Sequence, residues 1–220
     1  MNGSAKDFSG TVAALFDLDG VIVDTEGHYT EFWQKIGEKC FSDSGFGNKI
    51  KGRTLDNIFS TYFDGQTELQ AEITSALDRF EHDMPYEYVP GVLEFIADLQ
   101  RRNIPRAVVT SSNRKKMENV YARHPEFKGM FDRIFTGEDF SRSKPAPDCY
   151  LLGMKTFGSA PESTFIFEDS FTGLQSAKGS GGYVVGLATT NSREAIAPYC
   201  NLVIDDFTRI TVGFLLDKIA

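Results

Sequence analysis

Two aspartates separated by one residue, Asp17 and Asp19, follow directly on the apolar run Ala13–Phe16 in the stretch AALFDLDGVIVDTE. In an extended chain, residues i and i+2 point to the same side. A continued strand would hold two like charges together at the end of an apolar sheet, each raising the other's pKa. Such a pair is tolerable where a cation and hydrogen-bond donors share its site. A second acidic pair, Glu168 and Asp169, follows another β-rich run, Thr164–Phe167. These four residues supply hard oxygen ligands, which suit Mg²⁺ better than zinc or copper. A magnesium ion would keep waters and also take an oxygen from a bound phosphate. Lys144, in SKPAPD, adds a point charge for that phosphate and for a nucleophilic carboxylate, and Pro145 restrains the lysine's backbone. Ser111 and the neighbouring backbone N–H groups of TSSN can cradle phosphate oxygens.

These groups are far apart in the chain, so secondary structure has to bring them together. Short β-rich runs recur at Val12–Phe16, Ala107–Thr110, Arg133–Phe135, Thr164–Phe167, Tyr183–Leu187 and Leu202–Ile204. Helical patterns separate them at Gly91–Arg102, Arg114–Arg123, Asp148–Phe157, Gly173–Gly179 and Arg193–Pro198. Alternation of this kind predicts an α/β fold with a mainly parallel, Rossmann-like sheet covered on both faces. Open α/β sheets bind ligands at the carboxyl ends of their strands. The two acidic pairs, TSSN and SKPAPD all come after strands, so they converge on one sheet edge.

Residues 27–88 break the alternation. YTEFWQKIGEKC and TELQAEITSALDRFEH carry apolar residues at helical spacing, which predicts a helical insert. The expected organisation is a core domain of residues 1–26 and 89–220 with the insert 27–88 between. Phe32, Trp33 and Ile36 read as the insert's own core. NKIKGRT clusters Lys49, Lys51 and Arg53; it is either a solvated turn or an anion-binding loop facing the main domain.

Composition narrows the partners. Of 220 residues, 41% are hydrophobic and 25% charged, as in ordinary soluble globular proteins. The net charge of −8 argues against nucleic acid or an anionic membrane as partner. Cys40, Cys149 and Cys200 are odd in number and lack CxxC spacing, which fits a reducing compartment and gives no zinc site. MNGSAKDFSG has no apolar stretch of the signal-peptide kind. A soluble, cytoplasmic monomer is expected, and the phosphate-binding groups around Asp17, not the composition, point to a small phosphorylated metabolite as its ligand.

FDLDGVIVDTE, VVTSS, SKPAPD and IFEDS resemble the four ordered motifs of the haloacid dehalogenase superfamily. The likeness is to the branch that holds β-phosphoglucomutase and sugar-phosphate phosphatases, including a helical cap after the first motif. DxDG alone is weak; four motifs in order are specific. The resemblance implies Asp17 as nucleophile, Asp19 as general acid/base, and Ser111 and Lys144 as phosphate-binding residues of the second and third motifs. It implies Mg²⁺ held by Asp17, Asp169 and the Asp19 backbone carbonyl, with Glu168 bonding metal-bound water or the metal itself. Ser112, Asn113, Lys51, Gly52 and Arg53 are candidate substrate contacts. The implied activity is phosphatase action on a small phosphomonoester, plausibly a sugar phosphate. A phosphohexomutase and an inorganic pyrophosphatase are the alternatives. The mutase's cap histidine would fall at Tyr29, and its second-phosphate arginine near Leu55.

Plainer readings apply elsewhere. Ser111 and Ser112 taken singly could be helix N-caps before Arg114. Arg114, Lys115 and Lys116 read as a solvated helix start, with Arg114 able to reach the insert. His28, His82 and His124 need no catalytic role.

Overall fold

A computed structural model describes residues 11–51 and 53–219; Gly52, one of the expected substrate contacts, lies outside them. Six strands form one sheet: β1 (Ala13–Phe16), β2 (Arg106–Val109), β3 (Arg133–Phe135), β4 (Thr164–Glu168), β5 (Tyr183–Leu187) and β6 (Leu202–Ile204). All neighbouring pairs are parallel, in the order β3-β2-β1-β4-β5-β6. The first strand is therefore central, and the chain's direction of travel across the sheet reverses between β1 and β4. A doubly wound sheet binds its ligand at that reversal.

The central strands are apolar because both faces are buried. Phe16 pairs with Val108 and Phe167, and the two phenyl rings stack with centroids 4.4 Å apart. Phe95 and Phe207 pack against them on that face. Leu15, Ala107, Val109 and Ile166 point the other way, into a core with Cys149, Tyr150, Met154, Leu174 and Val184. Helices supply both layers: α5 (Val92–Arg101), α6 (Arg114–Arg123), α7 (Phe127–Met130), α8 (Asp148–Phe157), α9 (Phe171–Ser180), α10 (Arg193–Ile196) and α11 (Val212–Ile219).

The described chain divides into two compact units, one formed by the chain up to Asp24 and from Tyr88 onward, the other by Thr25–Glu87. The second is helical throughout: α1 (Glu26–Phe41), α2 (Phe46–Lys49), α3 (Leu55–Tyr62) and α4 (Thr67–Asp83). Its core gathers Phe32, Trp33, Phe46, Ile58, Phe63 and Ile73, with Ile36 packed against it. Phe32, Trp33 and Ile36 are thus core residues, as their helical spacing implies.

Element edges differ from the sequence reading for local reasons. Gly91 sits at φ +79° and ends the extended segment before α5, so the helix begins at Val92. Ser170 caps α9 by accepting from the Gly173 N–H, which starts that helix at Phe171. β4 runs on through Glu168, which pairs with Gly186. Past Ile196 the chain tightens into a 3₁₀ turn at Ala197–Tyr199. The sequence reading stopped at the last strand and so omitted α11. Among the described residues no helix is long and apolar enough to cross a membrane.

Candidate active site

The edge of the sheet turns on two aspartates. The Asp17 N–H donates to the Phe167 carbonyl at 3.0 Å, carrying β1 one residue further alongside β4. A tight loop comes next, in which the Leu18 carbonyl accepts from the Val21, Ile22 and Val23 N–H groups. Val21, Ile22 and Val23 are fully buried and anchor the loop. Gly20 lies at φ +70°, a conformation that side chains disfavour, and a Cβ there would overlap the Asp169 carboxylate. The glycine of DLDG is needed on both counts.

Lys144 ties the site together. Its ammonium donates to Asp17 Oδ1 at 2.8 Å, Glu168 Oε1 at 2.6 Å and the Val109 carbonyl at 3.1 Å. Three central strands are thereby joined by one cation whose side chain is 6% exposed. Burial works against that charge, but Asp17 and Glu168 outweigh it and raise the Lys144 pKa above its ordinary value. Burial pushes the Asp17 carboxyl up to about 7; Lys144 opposes this, while Glu168 and Asp19 add to it.

Glu168 is fully buried and heavily bonded. Besides Lys144, its Oε1 accepts from Tyr150 Oη at 2.7 Å. Its Oε2 accepts from the backbone N–H groups of Asp169 and Ser170 and from Ser170 Oγ. The carboxylate folds back over the start of α9, where a Cβ at Gly173 would overlap it. Asp169 is buried and accepts from Thr190 Oγ1. Asn191 Nδ2 donates to the Asp169 carbonyl at 3.1 Å, and Thr189 Oγ1 to the Gly20 carbonyl at 2.6 Å.

In the second motif Ser112 reaches the aspartates, donating from Oγ to Asp19 Oδ2 at 3.0 Å. Ser111 is exposed beside it. Asn113 is the N-cap of α6, accepting from the Lys116 N–H at 2.9 Å, so the capping role belongs to it rather than to either serine. The solvated helix start is wrong for Lys116. Its side chain is 7% exposed, and its ammonium lies 2.7 Å from both Asp19 carboxylate oxygens. The first turn of α6 points toward the sheet edge there, which residue type alone does not reveal. Arg114 Nη2 donates to Asp139 Oδ1 at 3.0 Å.

Three groups escaped the sequence reading: Lys116, Tyr150 and the loop Thr189–Asn191. The loop comes directly after β5, and the strand-end rule that points to the other groups points to it as well. Tyr150 lies on the buried face of α8, and only its hydroxyl, which donates to Glu168, distinguishes it from the apolar residues beside it.

Lys51 and Arg53 belong to the helical unit and are exposed there. Arg53 Nη1 lies 3.4 Å from Asn57 Oδ1, and its guanidinium lies 5.7 Å from the centre of the Tyr62 ring. Tyr29 Oη donates to Glu81 at 2.8 Å. His82 is exposed beside Asp83, and His28 and His124 are half-buried.

Asp17, Glu168 and Asp169 each offer a carboxylate oxygen, and all three atoms lie within 4.8 Å of one another. An all-oxygen donor set next to Lys144 fits a magnesium ion. The Asp19 carboxylate is directed instead to Lys116 and Ser112.

Comparison with known proteins places this geometry. Validoxylamine A 7'-phosphate phosphatase of Streptomyces hygroscopicus subsp. limoneus is 31% identical, over 90% of this chain and 94% of its own. A HAD hydrolase of family IA, variant 3, from Entamoeba histolytica superposes with a TM-score of 0.83 at 22% identity, covering 95% of this chain and 99% of that one. β-Phosphoglucomutase from Clostridium difficile gives 0.76 at 22% identity, over 95% and 97%. Residues 14–187 match the profile of the haloacid dehalogenase-like hydrolases. With that match spanning β1 to β5 and every strand-end motif between them, the chain belongs to the haloacid dehalogenase-like hydrolase family.

Proposed function

We propose that the protein is a Mg²⁺-dependent phosphatase that hydrolyses a small phosphomonoester, plausibly a sugar phosphate, through an aspartyl-phosphate on Asp17. The observation that carries this is Lys144 bridging Asp17 and Glu168, next to Asp169, where the sheet order reverses. The named phosphatase relative supports it.

In this reading Asp17 attacks phosphorus, the ester P–O bond breaks, and Asp19 gives a proton to the departing oxygen. Asp19 then takes a proton from water as that water attacks phosphorus. The bond to Asp17 breaks, and phosphate leaves. Two displacements replace one difficult one. Lys144 holds Asp17 in place and offers positive charge to the phosphate, with the TSSN segment donating from Ser111 and its backbone. Asp17, Glu168, Asp169 and the Asp19 carbonyl would hold the metal. Bound there, Mg²⁺ would neutralise charge on the nucleophile and the phosphate, which otherwise repel. The helical unit, with Lys51, Gly52 and Arg53 as candidate contacts, sets the substrate.

The mutase reading asks for a histidine and a second-phosphate arginine where this chain has Tyr29 and Leu55, and Tyr29 is engaged by Glu81. The test supplies Mg²⁺ with a panel of sugar phosphates, phosphoglycolate, nucleotides and pyrophosphate, and monitors released phosphate. β-Glucose 1-phosphate with a trace of glucose 1,6-bisphosphate is run in parallel. Release of phosphate from monoesters without a bisphosphate activator is expected. Glucose 6-phosphate accumulating much faster than free phosphate would make the protein a mutase.

A further inference from the structure

We infer that Lys116 is a positioning residue for Asp19, fixing the carboxyl group that, once protonated, gives the leaving oxygen its proton and then takes one from water; this rests on the phosphatase reading above. A carboxylate on a free side chain samples several χ1 and χ2 wells. Here both oxygens of Asp19 meet one ammonium at 2.7 Å, and Oδ2 also accepts from Ser112 at 3.0 Å. Three contacts from two donors fix both torsions.

The donors are themselves held. Thr110 Oγ1 accepts from the Ser112 N–H at 3.0 Å, setting the turn that carries the Ser112 hydroxyl. Asn113 Oδ1 accepts from the Lys116 N–H, so the cap that starts α6 acts on the very residue whose side chain reaches Asp19. Below the carboxylate, the Leu18 carbonyl and the Gly20 N–H lock the loop backbone. A lysine side chain that is 7% exposed is uncommon unless paired. Its charge here is directed at a group that the chemistry needs in one place.

A purely structural ion pair would have a different signature. Proton delivery matters when the leaving group is a poor one, such as a sugar alkoxide, and hardly at all for p-nitrophenolate. The quantity kcat/KM reports the steps through departure of the leaving group. The experiment therefore measures kcat/KM for native enzyme, Lys116→Met, Lys116→Gln and Lys116→Arg over a series of esters from p-nitrophenyl phosphate to an alkyl phosphate. Thermal unfolding of each variant is recorded alongside.

For Met and Gln the expected loss is about 10²-fold on the alkyl ester, at the lower end of what general acid catalysis contributes, and small on the nitrophenyl ester. KM should change little, and Arg, which can also meet both oxygens, should recover most of the loss. Equal losses on all esters, or none, would overturn the role of Lys116 while leaving the phosphatase reading intact. Should Met fail to fold, Gln and Arg give the same discrimination. Native enzyme inert toward every ester, and without a fluoroberyllate adduct on Asp17, would refute the phosphatase reading itself.

Discussion

Asp17 stands where its charge is disfavoured, and the cost is measurable. In the ion-free protein its carboxyl titrates near 7 instead of the ordinary 3.8, chiefly because it is buried. Between those values the folded state holds a proton that the unfolded chain has lost. The residue's contribution to stability is therefore whole below about pH 4, falls as pH rises through 7, and stays low above. Asp17→Asn mimics the protonated form. In chelator, its melting temperature should match the native protein near pH 4 and exceed it above pH 7. A gap of several degrees is expected, since each kcal/mol is worth ~2–4 °C in a chain of this size. A gap that does not grow with pH would contradict the burial of the charge. Phosphate release by this variant should fall to background. Asp17, Lys144, Glu168 and Asp169 were legible from sequence because strand ends in a parallel sheet share one edge. Lys116 and Tyr150 were not, because periodicity says which residues are helical but not which long side chain reaches back to that edge.

Short elements carry the precision of the site. The loop Thr189–Asn191 after β5 buttresses Asp169 and Gly20. Partners behind a metal ligand typically matter by about 10- to 100-fold in affinity. Thr190→Val should therefore weaken Mg²⁺ binding by roughly that factor, read by calorimetric titration, while the fold persists. Asn113→Ala removes the cap of α6 and should cost about 1 kcal/mol, seen in denaturant unfolding. Gly173→Ala is a harsher change. Its methyl would displace the Glu168 carboxylate, so both stability and metal affinity should fall. Strand positions were legible because short apolar runs buried on two faces leave a clear signature. Element ends were less so, because they depend on caps such as Ser170 and on the left-handed Gly91, which act over single residues.

At the scale of the molecule, metal and stability are linked. In the proposed reading Mg²⁺ binds only the folded chain, where Asp17, Glu168 and Asp169 come together, and so should raise the melting temperature with concentration. Its binding should release a proton from Asp17 below pH 7. EDTA should abolish phosphate release and Mg²⁺ restore it, with Ca²⁺ a poor substitute because it takes more ligands at longer distances. Full activity in chelator would refute the site as drawn. The helical unit Thr25–Glu87 coincides with a change of apolar period in the sequence. Substrate preference was not legible there, because in the proposed reading it depends on how exposed side chains such as Lys51 and Arg53 are presented, and no periodicity encodes that.

The central place of β1 has a consequence for synthesis on the ribosome. The strand bearing Asp17 emerges first, yet one of its two partners, β4, begins only at Thr164. For most of translation the fully apolar AALF segment has an open edge, the kind of surface that invites wrong pairing. At ~5–20 residues per second that interval lasts some seconds to tens of seconds. In the proposed reading the nascent chain also stays chemically inert until Glu168 and Asp169 have left the exit tunnel, so the proposed centre is completed late although its proposed nucleophile was made early.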